Sequence, residues 1–166
     1  MSACGREGIY ISRLRSNLRL KRIYLSKSPE ETIEIGAGLA RRLKRGDVIA
    51  LVGELGSGKT VLTKGIAKAL GVKNVRYVNS PTFVIIKEYR AKTPLYHFDL
   101  YRVDRSSVLD VENFEEYFYD DGITAIEWAD KIRDILPKKY IEVKLSVMGE
   151  GKRKIEVRNV NGKGAS

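Results

Sequence analysis

The chain has 166 residues, 43% of them apolar, and a single cysteine, Cys4. One domain with a packed core fits that length. An intrachain disulfide is excluded, and no run approaches the roughly 18 consecutive apolar residues of a membrane span. The N-terminal apolar run Ile9-Tyr10-Ile11 is too short for a signal-peptide core, so a cytoplasmic protein that meets no membrane is expected. The net charge of +10 sits at the ends: residues 1–22 hold six Lys/Arg against one acid, residues 138–166 hold eight against three, and the segment between holds seventeen of each. Both an electrostatic footprint for RNA or an acidic partner and a solubilising fringe accord with that distribution.

Residues 1–21 carry neither a helical nor a strand period and read as a flexible arm or an early start. The folded domain is expected over residues 22–160, with 161–166 a disordered tail. A short strand is expected at 22–25. Ser28-Pro29-Glu30-Glu31 then opens a helix, with Ser28 as N-cap, Pro29 in the first turn and Glu31 closing a capping box. Ile33, Ala37, Ala40 and Leu43 share one face of it. Gly36 and Gly38 each weaken it by about 1 kcal/mol relative to Ala and suggest close packing against a sheet. Residues 47–52 form an almost continuous apolar run, the signature of a strand buried on both faces.

Gly53-Glu54-Leu55-Gly56-Ser57-Gly58-Lys59-Thr60 follows that strand at once and fits G-x-x-x-x-G-K-[ST] at every position. Gly56 and Gly58 let backbone N–H groups turn inward around phosphate oxygens. The helix that follows aims its positive end at the same place. Lys59 supplies a point charge for the phosphates, and the Thr60 hydroxyl is a Mg²⁺ ligand. Leu62, Ile66, Ala69 and Leu70 mark the helix, which Gly71 ends.

Further along, 82–89 and 95–101 read as two strands. Residues 106–121 carry six acids and no base and read as helical and solvent-facing. A buried strand at 123–126 ends at Glu127-Trp128, and a short helix after it stops at Pro137. Residues 140–148 and 154–160 alternate with period two around Gly149-Glu150-Gly151, a terminal β-hairpin. The expected fold is α/β: a single P-loop NTPase domain whose mixed, mostly parallel central sheet is flanked by helices, with a C-terminal β-hairpin.

Hydrolysis or transfer needs an acid near Mg²⁺. Glu127, at a strand end, stands where a Walker-B-type acid belongs, and Asp99 lies on a strand expected near the loop. Thr82, in Ser80-Pro81-Thr82-Phe83, falls where a switch loop would reach Mg²⁺ or γ-phosphate, or else in a plain turn. His97 reads as a hydrogen-bonded core residue. Trp128 is core or a wall of the nucleotide pocket.

Four motifs in order, the glycine-rich loop, Ser80-Pro81-Thr82-Phe83, His97-Phe98-Asp99-Leu100-Tyr101-Arg102 and Glu127-Trp128, resemble the bacterial TsaE family over about residues 23–160. The resemblance implies a small ATPase of tRNA threonylcarbamoyladenosine biosynthesis. It would assist the TsaD and TsaB pair, reset that complex by ATP turnover, and meet tRNA through it. It implies ATP and Mg²⁺ as cofactors, Lys59 holding phosphates, Thr60 and Glu127 serving the metal, and Asp99 supporting hydrolysis. Thr82 would belong to the switch loop, and Trp128 would be a functional aromatic. A small P-loop nucleoside or nucleotide kinase is the alternative. A GTPase is disfavoured, since the chain has no Asn-Lys-x-Asp sequence. A non-catalytic RNA-binding module would need stacking aromatics on exposed strands, for which Tyr140 alone is a weak platform.

Overall fold

The computed structural model describes residues 21–110 and 113–162. Of the expected arm (1–21) and tail (161–166), residues 1–20 and 163–166 lie outside the described residues, while Lys21 begins the first strand and Asn161 ends the last. Seven strands form one sheet: β1 (Lys21–Ser26), β2 (Val48–Val52), β3 (Ile86–Tyr89), β4 (Leu95–Asp99), β5 (Ile123–Glu127), β6 (Lys139–Val147) and β7 (Arg153–Asn161). Their order across the sheet is β1-β7-β6-β2-β5-β4-β3. The central four, β6-β2-β5-β4, are mutually parallel. The edges are antiparallel, with β7 and β1 on one side and β3 on the other. Helices cover both faces, so the α/β expectation holds. The terminal hairpin is continuous with the sheet, because β6 pairs β2.

Helix α1 (Pro29–Ala40) starts as its sequence dictates. Ser28 is extended (φ −154°, ψ 163°), its Oγ accepts the Glu31 N–H at 3.1 Å, and Pro29 takes the first position. The return bond of the box closes one residue further out, on the Lys27 N–H, at 2.7 Å from Glu31 Oε2. Helix α2 (Lys59–Leu70) ends at Gly71, left-handed at φ 87°, where the Val72 N–H bonds the Ala67 carbonyl in a Schellman closure.

The two helices lie together on one face of the sheet. A Cβ on Gly36 would sit 2.3 Å from the Leu62 carbonyl oxygen, and one on Gly65 would sit 2.0 Å from that of Ile33. The close approach that the glycines of α1 foretell is therefore helix on helix, not helix on sheet. Gly38 takes no part, with nothing within 4 Å of its Cβ position.

Each sheet face has its own core. On the α1–α2 side Leu39, Ile49, Leu51, Leu62, Ile66 and Val143 pack together. On the other side Phe98, Val108, Phe114, Phe118, Ile126 and Ile132 do so. Phe114 meets both Phe98 and Phe118 edge-on, with centroids 5.1 Å apart in each pair, the favoured aromatic geometry.

Three local expectations change. The strand expected from 82 begins only at Ile86, because 82–85 is a turn with Ile85 left-handed at φ 65°. The strand expected to 101 ends at Asp99, and Leu100 and Tyr101 turn away. The acidic stretch is a short helix, α3 (Arg105–Leu109), and a 3₁₀ turn at Phe114–Phe118. It is not solvent-facing throughout, since Val108, Phe114 and Phe118 are buried. Asp110, Glu115, Glu116, Asp120 and Asp121 are exposed, while Val108, Phe114 and Phe118 join the second core.

The helix contact gives a test with opposite signs. Gly65→Ala is expected to destabilise the fold by about 1–3 kcal/mol, because the added methyl meets backbone that has no room to yield. Gly38→Ala is expected to stabilise it by about 0.5–1 kcal/mol, as an unobstructed helix-interior glycine. Denaturant unfolding of the two variants beside the parent measures both.

Candidate functional site

Register builds the site. Leu51 of β2 stands opposite Glu127 of β5, and Glu127 opposite Asp99 of β4. The carboxyl ends of three parallel strands thus finish in one row. Because side chains alternate along a strand, His97 and Asp99 share a face with Leu95, and Glu127 shares it with Ile123 and Ala125. That face carries α2.

The loop Gly53-Glu54-Leu55-Gly56-Ser57-Gly58 leaves β2 beside this row and enters α2. Gly56 (φ 76°) and Gly58 (φ 102°) are both left-handed, a conformation that glycine takes without strain. The start of α2 differs from that of α1. α1 has a serine cap and Glu30 and Glu31 in its first turn. α2 has no side-chain cap and no acid there, so its free N–H groups and positive end suit an anion.

Lys59 is only 4% exposed. Its Nζ donates to the carbonyls of Gly53 (2.7 Å) and Glu54 (2.9 Å) and lies 4.0 Å from the centre of the Trp128 ring. Burial pulls the ammonium below the usual lysine range, and the charges of Glu127, Asp99 and Asp130 push the other way. Thr60 Oγ1 donates to Glu127 at 2.8 Å from Oε1 and 3.1 Å from Oε2. Glu127 Oε1 also meets His97 Nε2 at 2.8 Å.

Asp99 has a separate set of donors. Ser80 Oγ and Thr82 Oγ1 both bond Oδ2, the second at 3.1 Å, and the Tyr101 N–H bonds Oδ1 at 2.8 Å. The Ser80–Thr82 segment is thereby tied to the carboxylate. Trp128 is left-handed at φ 60° and lies against Tyr101, with centroids 5.0 Å apart. Arg102 stacks 4.8 Å over Phe83. Lys131 Nζ fixes this turn by donating to the carbonyls of Leu100 (2.7 Å), Tyr101 (2.6 Å) and Val103 (3.1 Å).

Every residue singled out from sequence, Gly53 to Thr60 together with Thr82, Asp99, Glu127 and Trp128, is gathered at this end of the sheet. Sequence reasoning placed His97 in the core as a hydrogen-bonded residue. It missed that the bond goes to Glu127, although its two-residue spacing from Asp99 put both on the site face. Ser80 was read only as part of its Ser-Pro-Thr-Phe motif, without its bond to Asp99, and Lys131 carries no sequence signal of its role. A separate groove of about 400 Å³, with Arg22, Arg42, Lys44 and Lys139 in its lining, lies at the opposite, amino end of β2 and β6.

The family profile described as "Threonylcarbamoyl adenosine biosynthesis protein TsaE" matches residues 26–155. The chain belongs to the TsaE family. Proteins named tRNA threonylcarbamoyladenosine biosynthesis protein TsaE are similar along most of their length. The one from Bacillus subtilis is 43% identical over 129 residues, covering 77% of this chain and 79% of its own. The one from Aquifex aeolicus is 40% identical over 141 residues, covering 83% and 96%. The crystal structure of Bacillus subtilis YdiB superposes with a TM-score of 0.71 at 34% identity, covering 88% of this chain and 90% of its own. No helix among the described residues is long and apolar enough to cross a membrane.

The tether on Asp99 makes a prediction for this TsaE-family site. Asp99→Ala removes the shared acceptor of Ser80 and Thr82, so amides of residues 79–84 are expected to exchange faster with solvent while those of β2 and α2 keep their protection. Hydrogen-exchange mass spectrometry reads the difference; equal loop protection in the variant would mean that other contacts hold the segment.

Proposed function

We propose that this chain is a Mg²⁺-dependent ATPase that assists the TsaD–TsaB threonylcarbamoyl transferase complex in tRNA N6-threonylcarbamoyladenosine modification, by ATP-driven resetting of that complex. The observation that carries the ATPase reading is the Thr60 hydroxyl on the Glu127 carboxylate, set at the uncapped start of α2. A hydroxyl and a carboxylate are the hard oxygen ligands that Mg²⁺ takes in P-loop sites. Membership of the TsaE family, whose relatives are named for this tRNA modification, supports the biological setting.

The residues present fit the ligands. The left-handed glycines and the free N–H groups of α2 suit a triphosphate, and Lys59 exchanges its carbonyl partners for phosphate oxygens. Thr60 and Glu127 hold the metal, which when bound neutralises charge developing on the transferred phosphoryl group. Asp99 would orient the attacking water, and Thr82, already bonded to Asp99, would stand beside it. Trp128 packs against the lysine and walls the site. No motif fixes a catalytic arginine, and Arg102, the one that could act in cis, stacks over Phe83; turnover of the isolated chain is accordingly expected to be slow. A partner that supplies an arginine raises such rates by about 10³–10⁵ in related enzymes.

Two sets of measurements test this. Lys59→Ala is expected to abolish or severely weaken nucleotide binding, whereas Glu127→Ala and Asp99→Ala keep some binding and lose phosphate release. Wild-type affinity without Lys59, or normal turnover without either acid, removes that residue from its role. Steady-state hydrolysis is then compared for the chain alone and with TsaD–TsaB, with and without tRNA. Fast turnover alone, unchanged by the pair, defeats the partner-dependent reading. Stoichiometric phosphate transfer to a nucleoside favours a kinase instead.

A further inference from the structure

His97 is fully buried, on a strand face where Leu95 and Ala125 are apolar neighbours. A leucine or phenylalanine there would have no polar atom of its own to satisfy. An imidazole in such a place loses hydration at both nitrogens and regains only what it can bond. Here it regains one bond, Nε2 to Glu127 Oε1 at 2.8 Å, and Nδ1 has no partner among the described residues. Replacing both members of a buried polar pair by apolar groups is often neutral or stabilising, whereas removing one strands the other, so what this histidine contributes passes through the partner it bonds. The bond it makes is to the one carboxylate that also meets Thr60.

The pattern of donors says what that bond does. Glu127 and Asp99 are directly opposite in register and carry like charges. Asp99 is held by Ser80, Thr82 and the Tyr101 N–H, Glu127 by Thr60 and His97. Oε1 of Glu127 takes both short contacts, from Thr60 and from His97, at 2.8 Å each. Oε2 has only the 3.1 Å contact from Thr60. The carboxylate is thus clamped at one oxygen and leaves the other the less engaged of the two.

We propose that His97 is a positioning residue: its Nε2–H fixes Glu127 so that the carboxylate presents Oε2 beside the Thr60 hydroxyl, and this sets how tightly the pair holds a hard divalent cation. The proposal rests on the Mg²⁺-dependent reading above and adds to it a group that touches neither nucleotide nor metal. Nε2 carries a ring proton, because only a donor answers a carboxylate oxygen. Partners that orient metal ligands in this way typically alter metal affinity or activity by about 10–100-fold when removed.

The full chain is compared with His97→Leu and His97→Gln, whose amide N–H can take the place of Nε2–H. His97→Leu is expected to melt below the wild type, because it leaves the buried Glu127 with Thr60 as its partner, and His97→Gln to recover part of that loss. The Mg²⁺ concentration for half-maximal hydrolysis should rise, or turnover fall, by about 10-fold or more, with the Gln variant recovering most of the loss. A readout independent of turnover uses the chain's sole histidine. In long-range ¹H–¹⁵N spectra of the nucleotide-free protein, the wild type should show the Nε2–H tautomer with a slowly exchanging ring proton, and Glu127→Ala should lose that slow exchange. His97→Leu with wild-type Mg²⁺ dependence and turnover, or a ring proton that ignores Glu127→Ala, overturns the proposal. A wild type that hydrolyses no ATP while its ring proton still answers to Glu127 sinks the ATPase reading and leaves the clamp standing.

Discussion

The parallel register of β2, β5 and β4 is the constraint on which the rest depends. It sets Leu51, Glu127 and Asp99 side by side, so a loop leaving β2 must pass the two acids within reach of its helix. Side-chain direction alternates with every residue, and a slip of β5 by one position would turn Glu127 away from α2. It would then enter the face where Phe98, Phe114 and Ile126 pack, an apolar setting that gives a carboxylate nothing to bond. The apolar pattern of Ile123, Ala125 and Ile126 therefore does more than fill a core. By fixing which face is buried against which layer, it aims the acid.

Lys59, Asp99 and Glu127 are each no more than 4% exposed. Groups of this kind are costly to bury unless nearly every polar atom finds a partner. The site meets that demand locally: carbonyls and an indole face for the lysine, hydroxyls and an N–H for Asp99, a hydroxyl and an imidazole for Glu127. These partners are of a kind that a phosphate or a cation can displace without moving the backbone. Most of the cost of desolvating the site is thus met in folding and not at binding, which is what preorganisation means for an electrostatic site.

Much of this was legible in the sequence, because the glycine-rich loop, the buried run before it and the strand-end acid are short-range patterns with one structural solution each. The parallel centre, the terminal hairpin and the nearness of Asp99 and Glu127 to the loop followed from them, whereas Thr82 and Trp128 stayed open between the site and a plain turn or core. What could not be read depends on contacts distant in sequence. Gly36 looked like a sheet contact because its partner, Gly65, lies one helix away, and no local rule joins them. The stretch 106–121 looked solvent-facing because its acids outnumber its aromatics, whereas packing counts where Val108, Phe114 and Phe118 point. His97 looked like core because a strand position reveals burial but not which carboxylate the neighbouring strand brings alongside. Ile85, left-handed at φ 65°, cut short a strand that β-branched residues would otherwise have continued.

The two faces of the sheet divide the work between rigidity and movement. Behind the acids, the 3₁₀ turn at Phe114–Phe118 is bound to the sheet by aromatic contacts of Phe114 and Tyr117 with Phe98, α3 buries Val108 in the same core, and Lys131 pins the turn that follows β4 through three carbonyls. The acidic stretch is accordingly a buttress and is badly placed to swing over a nucleotide as a kinase lid must. The segment at Ser80–Thr82 is held differently. Two hydroxyls share the single oxygen Oδ2 of Asp99, so a cation or water that engages that oxygen competes directly with them. Phe83 and Val84, next in the chain, are 85% and 57% exposed, and large apolar groups at the surface beside a polar tether are where a change at the carboxylate becomes visible from outside. Asp99 Oδ2 is thus the atom that ties the loop carrying this apolar rim to the strand-end acids.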